Sequence, residues 1–281
     1  AGNGMAGKVM PAIEEKLPIE IIPLFFELDG TFPNHLANPL LPETWDSIKT
    51  TITQEKADLG IMFDGDGDRM FLFDENGEFI SGTITTAMVA EQMLKKNPGS
   101  TILYNAICGR VVPETIEKNG GESHRVRVGH TLIKEAMRKH DALFAGEHSG
   151  HYYFKENFHA DSGLIAALTV LELMSQEESK ISDLVKRYDI YPGSGEINFQ
   201  VDEKQKMMKI LAAKFSEAEK IDWLDGISIW FKTWWANIRP SNTQPVLRLN
   251  VEADNQKILT EKTAAIKDLI LSHGGKIAEE H

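Results

Sequence analysis

The sequence is poor in cysteine, in long apolar runs and in positive charge, and each shortage excludes a class of protein. Cys108 is the single cysteine among 281 residues, which excludes an intrachain disulfide and favours a reducing, cytoplasmic location. No apolar run approaches the roughly 18 residues of a transmembrane helix, so we expect no membrane partner. A formal net charge of −12 disfavours nonspecific binding to nucleic acid. An anionic substrate would therefore have to be bound by local cations.

A strand is also lacking where a dinucleotide-binding motif would need one. Residues 1–7 contain a literal G-x-G-x-x-G, and Glu27 and Asp29 follow the next predicted strand. The motif requires a preceding strand, which this chain lacks, and Pro11 is expected to interrupt the helix that should follow. We interpret these glycines as a structural turn whose own strand lies upstream of Ala1, and we expect the chain to be a fragment.

The most informative segment present is Asp64-Gly65-Asp66-Gly67-Asp68-Arg69. Carboxylates at alternate positions offer the oxygen ligands that Mg²⁺ and Ca²⁺ prefer, and Mg²⁺ usually keeps positions for phosphate oxygens. The intervening glycines let the backbone turn tightly enough for the carboxylates to converge. Arg69 can place its guanidinium on a phosphate held by the metal. The motif predicts a Mg²⁺ site, with Asp64, Asp66 and Asp68 as ligands.

Two other interpretations of this acidic segment stay open. It could be a solvated turn, although apolar runs at residues 59–63 and 70–73 predict buried strands that would hold it in place. It could be a calcium-binding EF-hand, because the three aspartates and Glu75 fall at positions 1, 3, 5 and 12 of such a loop. Against the EF-hand, Arg69 occupies the position that requires glycine, and strands rather than helices are predicted on both sides.

Predicted strands and helices alternate along most of the chain, which indicates an α/β fold. We expect two three-layer α/β domains with mixed, mainly parallel sheets at residues 1–81 and 82–190, followed by a smaller α+β domain at residues 191–281. Asp254 is predicted to cap the last helix. The predicted strands lie at residues 19–28, 59–63, 70–73, 101–104, 125–128, 196–201, 226–235 and 246–251, and the predicted helices at 45–56, 83–96, 113–118, 131–139, 162–174, 203–219 and 256–272.

A second polar segment is Gly146-Glu147-His148-Ser149-Gly150-His151. Its carboxylate, hydroxyl and two imidazoles can bind several hydroxyl groups and supply a proton-transfer group near neutral pH. His130 lies at a predicted strand-to-helix junction, where the helix dipole disfavours a protonated imidazole. A solvated loop and a helix cap are the alternatives for these positions. A serine hydrolase is disfavoured because this segment lacks G-x-S-x-G.

The third polar segment is Arg239-Pro240-Ser241-Asn242-Thr243-Gln244-Pro245, with Arg248 on the strand that follows. A guanidinium, two hydroxyls and a carboxamide on a loop stiffened by two prolines can surround a phosphate with charge-assisted hydrogen bonds. Alone this is a weak signal. Beside the acidic segment it predicts a second anion site on a separate domain.

Together the three segments resemble the loops of the α-D-phosphohexomutase superfamily, most closely its bacterial phosphomannomutase/phosphoglucomutase branch. The family's metal loop, D-G-D-x-D-R, matches residues 64–69. Its sugar loop, G-E-x-S-G-H, matches residues 146–151, and its phosphate loop, R-x-S-N-T-x-P, matches residues 239–245. The three motifs occur in the family's order and cover essentially the whole chain.

The resemblance implies a role for each of these polar residues. Three aspartates would hold Mg²⁺, Arg69 would contact the phosphoserine or sugar region, and His130 and His151 would transfer protons or contact the substrate. A lysine that contacts substrate in some members is replaced near Ile107, and Arg110 is its candidate substitute. The remaining implied substrate-binding residues are Glu147, His148, Ser149, Arg239, Ser241, Asn242, Thr243 and Arg248.

The resemblance further implies that hexose 1-phosphates and hexose 6-phosphates of mannose or glucose are interconverted through a bisphosphorylated sugar. In the family a first domain carries the phosphoserine that exchanges the phosphoryl group. That domain is expected to be missing here, so the isolated chain is expected to be inactive. A phosphoglucosamine mutase fragment and a non-catalytic module that binds metal or sugar phosphate are the alternatives.

Overall fold

The computed structural model describes residues 1–241 and 244–278. The architecture is α/β with a mixed sheet, as the sequence predicts. Within the described ranges, no helix has the length and apolar character needed to cross a membrane.

The chain divides into two compact units, of which the first comprises Ala1–Arg125 and Gly129–Asp189. Its strands, in chain order, are β1 (Gly60–Phe63), β2 (Met70–Phe73), β3 (Phe79–Ile80), β4 (Thr101–Asn105), β5 (Glu122–Val126, whose last residue is assigned to the second unit), β6 (Phe144–Gly146), β7 (Tyr152–Phe154) and β8 (Ala160–Asp161). Its helices are α1 (Ala6–Glu14), α2 (Asp46–Glu55), α3 (Gly82–Lys96), α4 (Val111–Lys118), α5 (His130–His140), α6 (Gly163–Glu177) and α7 (Ile181–Val185).

Two sheets form the frame of this unit. The first has the order β1-β2-β3 with antiparallel pairing, and the second has the order β5-β4-β6-β7-β8. In the second sheet β4 and β6 run parallel, whereas β7 pairs antiparallel with both β6 and β8. Helix α3 packs against α4, α6, β2 and β6, so it lies at the centre of the unit. This position explains why its small and apolar residues are almost entirely buried.

The second unit comprises Val126–Val128 and Ile190–His281. Its strands are β9 (Ile197–Gln200), β10 (Lys220–Asp222), β11 (Ile227–Phe231), β12 (Trp234–Pro240), β13 (Val246–Ala253) and β14 (Lys276–Ile277), and its helices are α8 (Lys204–Lys214) and α9 (Gln256–Ser272). The antiparallel sheet has the order β10-β11-β12-β13-β9-β14. Helices α8 and α9 pack against the strands and enclose an apolar core with them.

Parallel pairing does not predominate in the first unit, although the sequence predicts that it should. Six residues connect β1 to β2, and a connection this short joins antiparallel neighbours, because a parallel crossover needs a dozen residues or more. The same argument applies to the five residues between β6 and β7.

Four other predictions about elements differ from the structure. Residues 19–28 form no strand. Pro11 lies within α1 rather than ending it. The strand predicted at residues 226–235 is a hairpin of β11 and β12, which reverses direction at Lys232 and Thr233. Asn255, rather than Asp254, caps α9, because its side-chain oxygen accepts a hydrogen bond from the backbone N–H of Ile258 at 3.0 Å.

Candidate functional site

The acidic loop between β1 and β2 is ordered by its own first carboxylate. Asp64 is 3% exposed, and its Oδ1 accepts hydrogen bonds from the backbone N–H groups of Gly67 at 3.1 Å and Arg69 at 3.2 Å. Its Oδ2 accepts from Arg69 Nε at 2.6 Å. Gly67 has φ of +81°, a conformation that glycine adopts without a steric penalty. The sequence therefore fixes this loop through bonds that span five residues or fewer.

The Gly-rich turn at the start of the chain packs against this loop. The backbone N–H of Met5 donates to the carbonyl oxygen of Gly65 at 2.9 Å. A Cβ atom on Gly4 would lie 2.5 Å from the same oxygen, so the close approach requires glycine. These contacts support the interpretation of the turn as structural, with the acidic loop as its neighbour.

The three aspartates converge as the motif predicts. One carboxylate oxygen from each of Asp64, Asp66 and Asp68 lies within 4.8 Å of the others. Burial, followed by the charges of Asp64 and Asp66, raises the pKa of Asp68 to about 6. A bound cation would relieve this repulsion, and an all-oxygen donor set suits a hard ion such as Mg²⁺. The residues present therefore fit the predicted metal.

The segment at residues 146–151 packs directly against the acidic loop. Arg69 and His151 form an antiparallel bridge, and the backbone N–H of Met70 donates to the carbonyl oxygen of Gly150 at 3.0 Å. Gly150 has φ of +86°, and a Cβ atom there would lie 2.6 Å from a ring carbon of Phe71. Glycine is thus needed for the two polar segments to meet.

Glu147 is enclosed, although the resemblance assigns it to sugar hydroxyls. Its side chain is 2% exposed, Oε1 accepts from the Tyr153 hydroxyl at 2.7 Å, and Oε2 accepts from Asn105 Nδ2 at 3.1 Å. Burial raises the pKa of Glu147, while these two donors oppose the rise. In this structure the carboxylate holds the loop to β4 and β7.

His148 and Ser149 occupy the same loop with less buried side chains. His148 Nδ1 lies 2.9 Å from the Thr83 hydroxyl, at the start of α3. Ser149 Oγ lies 3.0 Å from His151 Nδ1. The serine contact directs the other ring nitrogen of His151, Nε2, toward Asp68 Oδ2 at 3.8 Å.

His130 and His151 face one another with opposite electrostatic surroundings. Their ring centroids lie 4.4 Å apart at an interplanar angle of 78°. The adjacent Asp161 carboxylate raises the pKa of His130, although its place at the start of α5 predicts the opposite direction. Burial, followed by the charges of His130 and Arg69, lowers the pKa of His151 to about 4. One imidazole is therefore biased toward the proton-donating form and the other toward the neutral, accepting form.

Asp161 and Lys134 are residues of this site that the sequence analysis does not identify. Asp161 Oδ2 lies 3.1 Å from His130 Nδ1, and Asp161 Oδ1 lies 3.3 Å from Lys134 Nζ. The sequence offers only a weak indication of Asp161, which is its position immediately before Ser162, the residue that caps α6. Arg110, which the sequence analysis does name, lies at the N-cap of α4, after β4.

The second unit contains the arginines of the predicted phosphate loop. Arg239 on β12 and Arg248 on β13 are directly opposite in the antiparallel register. Glu196 lies 3.6 Å from Arg239 and 3.3 Å from Arg248, a shared partner that the sequence analysis does not identify. Arg248 also donates to Gln244 at 3.1 Å, and Ser241 Oγ accepts from the backbone N–H of Gln244 at 3.2 Å. Asn242 and Thr243 lie outside the described residues.

Comparison with known proteins agrees with this geometry. Family models of phosphoglucomutase/phosphomannomutase match the chain in three consecutive segments: alpha/beta/alpha domain II at residues 1–77, alpha/beta/alpha domain III at residues 81–191 and the C-terminal domain at residues 196–269. The chain belongs to the phosphoglucomutase/phosphomannomutase family. The resemblance stated from the three loops is thereby confirmed.

Relatives named phosphomannomutase are similar to most of this chain. The phosphomannomutase of Methanocaldococcus jannaschii is 45% identical over 242 residues, which are 86% of this chain and 54% of the relative. That of Escherichia coli K12 is 41% identical over 93% of this chain and 59% of the relative. A crystal structure of a family protein from Burkholderia thailandensis superposes with a TM-score of 0.90 at 30% identity, covering 99% of this chain and 60% of the other. The chain thus spans between half and two thirds of the length of these relatives.

Proposed function

We propose that this chain is the metal- and sugar-binding part of a phosphohexomutase that interconverts the 1-phosphates and 6-phosphates of mannose or glucose. One observation carries the proposal: the acidic loop and the segment at residues 146–151 meet, so that three carboxylates, Arg69 and two imidazoles lie in one place. Phosphoryl transfer needs charge neutralisation and proton transfer at the same centre. Both kinds of group are present.

We assign Asp64, Asp66 and Asp68 as the residues that would hold Mg²⁺. When bound, Mg²⁺ supplies charge neutralisation for a transferring phosphoryl group. Asp64 also fixes Arg69 by a hydrogen bond of 2.6 Å, which orients the guanidinium beside the metal ligands. Arg69 would bind the phosphate or the sugar next to it.

We assign His130 and His151 to proton transfer. In each half-reaction a sugar oxygen either loses a proton as it gains the phosphoryl group or gains a proton as it gives the group up. A neutral imidazole is needed for the first event and a protonated one for the second. The opposite pKa directions bias His151 toward the neutral form and His130 toward the protonated form. The Asp161 carboxylate, whose Oδ2 lies 3.1 Å from His130 Nδ1, favours the protonated form of His130.

We assign substrate contacts to Ser149, His148 and Arg110. The enclosed position of Glu147 suits a role in holding the loop against Tyr153 and Asn105, so that the neighbouring hydroxyl and imidazole keep fixed positions for sugar hydroxyls. Direct contact of Glu147 with the sugar would require the loop to move away from these two donors.

We assign the non-reacting phosphate to the second unit. Arg239 and Arg248 lie opposite one another and share Glu196, so the group carries net positive charge at a loop that also holds the Ser241 hydroxyl. Asn242 and Thr243 belong to the same proposed phosphate loop by the family motif. Paired guanidinium and hydroxyl donors suit a phosphate dianion.

In the family as the resemblance describes it, the phosphoryl donor is a serine of a first domain, which lies outside the family segments matched here. We therefore expect this chain alone to bind Mg²⁺ and hexose phosphates without isomerising them. A coupled assay with glucose 1-phosphate, Mg²⁺ and catalytic glucose 1,6-bisphosphate tests this. Sustained production of the 6-phosphate by the chain alone would contradict the expectation.

A chimera provides the positive test. Joining the first domain of a phosphomannomutase relative ahead of Ala1 should restore turnover, and Asp66→Ala in the same chimera should abolish it. Assays with mannose, glucose and glucosamine 1-phosphates would compare the proposed substrates with that of a phosphoglucosamine mutase. A folded chimera with no turnover on any of the three would overturn the proposed function.

A further inference from the structure

We propose that Asp68, His130, His151 and Asp161 form a second metal site, selective for late transition-metal ions such as Zn²⁺, Co²⁺ or Ni²⁺, and that its occupancy excludes Mg²⁺ from the three-aspartate site. One ligand atom from each of the four residues lies within 4.8 Å of the others. This site shares Asp68 with the proposed Mg²⁺ site and otherwise uses different residues.

The donor chemistry distinguishes the two sites. Three carboxylates suit hard ions, whereas two imidazoles with two carboxylates suit borderline ions, which bind nitrogen well. A tetrahedral zinc ion with bonds of about 2.1 Å would place its ligand atoms about 3.4 Å apart. The cluster therefore needs to contract by at most about 1.4 Å, which small side-chain rotations can supply.

The fold, rather than local sequence, assembles this cluster. Asp68 comes from the loop after β1, His130 from the start of α5, His151 from the residue before β7, and Asp161 from β8. Each element belongs to the first unit. The side chains are 30%, 43%, 14% and 9% exposed in that order, so the cluster opens to solvent through Asp68 and His130.

Two contacts around the cluster leave ligand atoms available. Ser149 Oγ lies 3.0 Å from His151 Nδ1, which leaves Nε2 facing Asp68. Lys134 pairs with Asp161 Oδ1, whereas Asp161 Oδ2 is buried and accepts no hydrogen bond in the part of the chain that the structure describes. Oδ2 lies 3.1 Å from His130 Nδ1 without hydrogen-bond alignment. A buried carboxylate oxygen with an unused lone pair is a suitable metal ligand.

Sharing of Asp68 makes the coupling between the two sites negative and reciprocal. An ion held by the histidines engages the carboxylate that the Mg²⁺ site needs, and it adds positive charge close to that site. It also occupies both imidazoles that we assign to proton transfer. Transition-metal ions should therefore inhibit the complete enzyme even when Mg²⁺ is in excess.

Co²⁺ provides a test that does not depend on catalysis, because its visible absorption reports its coordination. Titrating the untagged chain with Co²⁺ should produce a saturable band. His130→Ala and His151→Ala should each weaken Co²⁺ binding at least tenfold, whereas Asp66→Asn, which alters the three-aspartate site alone, should leave it within about twofold. Added Mg²⁺ should weaken Co²⁺ binding in the wild type, and Co²⁺ should weaken Mg²⁺ binding by the same factor.

A histidine pair elsewhere serves as the matched control. The rings of His124 and His140 lie 4.5 Å apart, beside Glu122, and offer Co²⁺ a comparable pair of imidazoles. His140→Ala should leave the band unchanged. Far-UV circular dichroism and thermal unfolding of every variant would show that each is folded, and His130→Gln provides a second variant of similar shape. The proposal is overturned if the band persists in the folded His130 and His151 variants, or if it is lost in Asp66→Asn or His140→Ala.

Discussion

The acidic loop at residues 64–69 and the segment at residues 19–28 differ in how far local sequence determines their structure. Both are conspicuous in the sequence, but the loop forms as predicted whereas the segment forms no strand. Asp64 orders the loop through hydrogen bonds to residues three and five positions away. A strand instead needs a neighbouring strand for its backbone groups. Hydrogen bonds between residues close in sequence can order a loop without other parts of the chain. An apolar segment becomes a strand only when another strand pairs with it.

The surroundings of residues 19–28 show why this segment forms no strand. Most of these residues line a cavity of about 480 Å³ together with Ala1 and residues of α2 and β1. Strand β1 is at the edge of its three-stranded sheet, and Ile22 and Leu28 are 39% and 42% exposed. The apolar pattern is present, but the packing that would bury it is incomplete in the described residues.

The largest expected difference is in the free energy of unfolding, between truncation of an apolar side chain on β2, which follows the acidic loop, and truncation of one in residues 19–28. Leu72→Ala on β2 removes a fully buried side chain and should lower the free energy of unfolding by about 2–5 kcal/mol. Ile22→Ala, in the exposed segment, should change it by less than about 0.5 kcal/mol. Urea unfolding followed by tryptophan fluorescence would measure both. Similar losses for the two variants would show that residues 19–28 are packed after all.

Removing single carboxylates would separate the loop's structural role from its metal-binding role. Asp64→Ala leaves Arg69 and two backbone N–H groups without their acceptor, so it should destabilise the chain by about 3 kcal/mol and abolish Mg²⁺ binding. Asp66→Ala, at an exposed position, should abolish Mg²⁺ binding with little loss of stability. Calorimetric Mg²⁺ titration and thermal unfolding would distinguish them. Equal destabilisation would contradict the central position given to Asp64.

Two adjacent buried tyrosines test the role of Glu147 in holding its loop. Tyr153→Phe removes a donor from a carboxylate and should cost about 1.5–3 kcal/mol, whereas Tyr152→Phe removes a bond to the Met70 carbonyl and should cost about 1 kcal/mol. The Tyr153 donor lowers the pKa of Glu147, so its loss should raise that pKa further. The destabilisation should therefore increase as pH rises and Glu147 ionises. A pH-independent difference between the variants would indicate that the hydrogen bond is unimportant.

The smallest expected effect on stability is that of breaking the ion pair between Asp161 and His130. The pKa of His130 is raised in the folded state, so its contribution to stability is fully present below its unfolded pKa of about 6.5 and is lost as pH rises through the folded pKa. Asp161→Asn should lower the pKa of His130, measured by NMR of the imidazole protons. Because His130 is about half-exposed, the stability difference from wild type should stay below about 1 kcal/mol and be largest near pH 5–6. An unchanged pKa of His130 would show that Asp161 does not influence His130.

Asp161 and Glu196 could not be predicted from the sequence, and the physical reason is the same for both. Asp161 and Glu196 act through contacts with residues that are distant in sequence, and neither belongs to a motif with its own chemistry. The hairpin of β11 and β12 turns at Lys232 and Thr233, which lack the glycine or asparagine that usually marks a two-residue turn. By contrast, the last helix is predicted with correct bounds, because its apolar spacing and its end near Gly274 are local signals.

The central claim is that the two polar loops of the first unit form one site for a divalent metal and a sugar phosphate. Titrating the chain into mannose 1-phosphate and following the ³¹P resonance, with Mg²⁺ or with EDTA, tests it most directly. We expect saturable broadening or a shift that requires Mg²⁺ and is lost in Asp66→Ala, without any 6-phosphate signal. Binding that is the same in EDTA and in Asp66→Ala, or no binding at all to the folded chain, would contradict the claim.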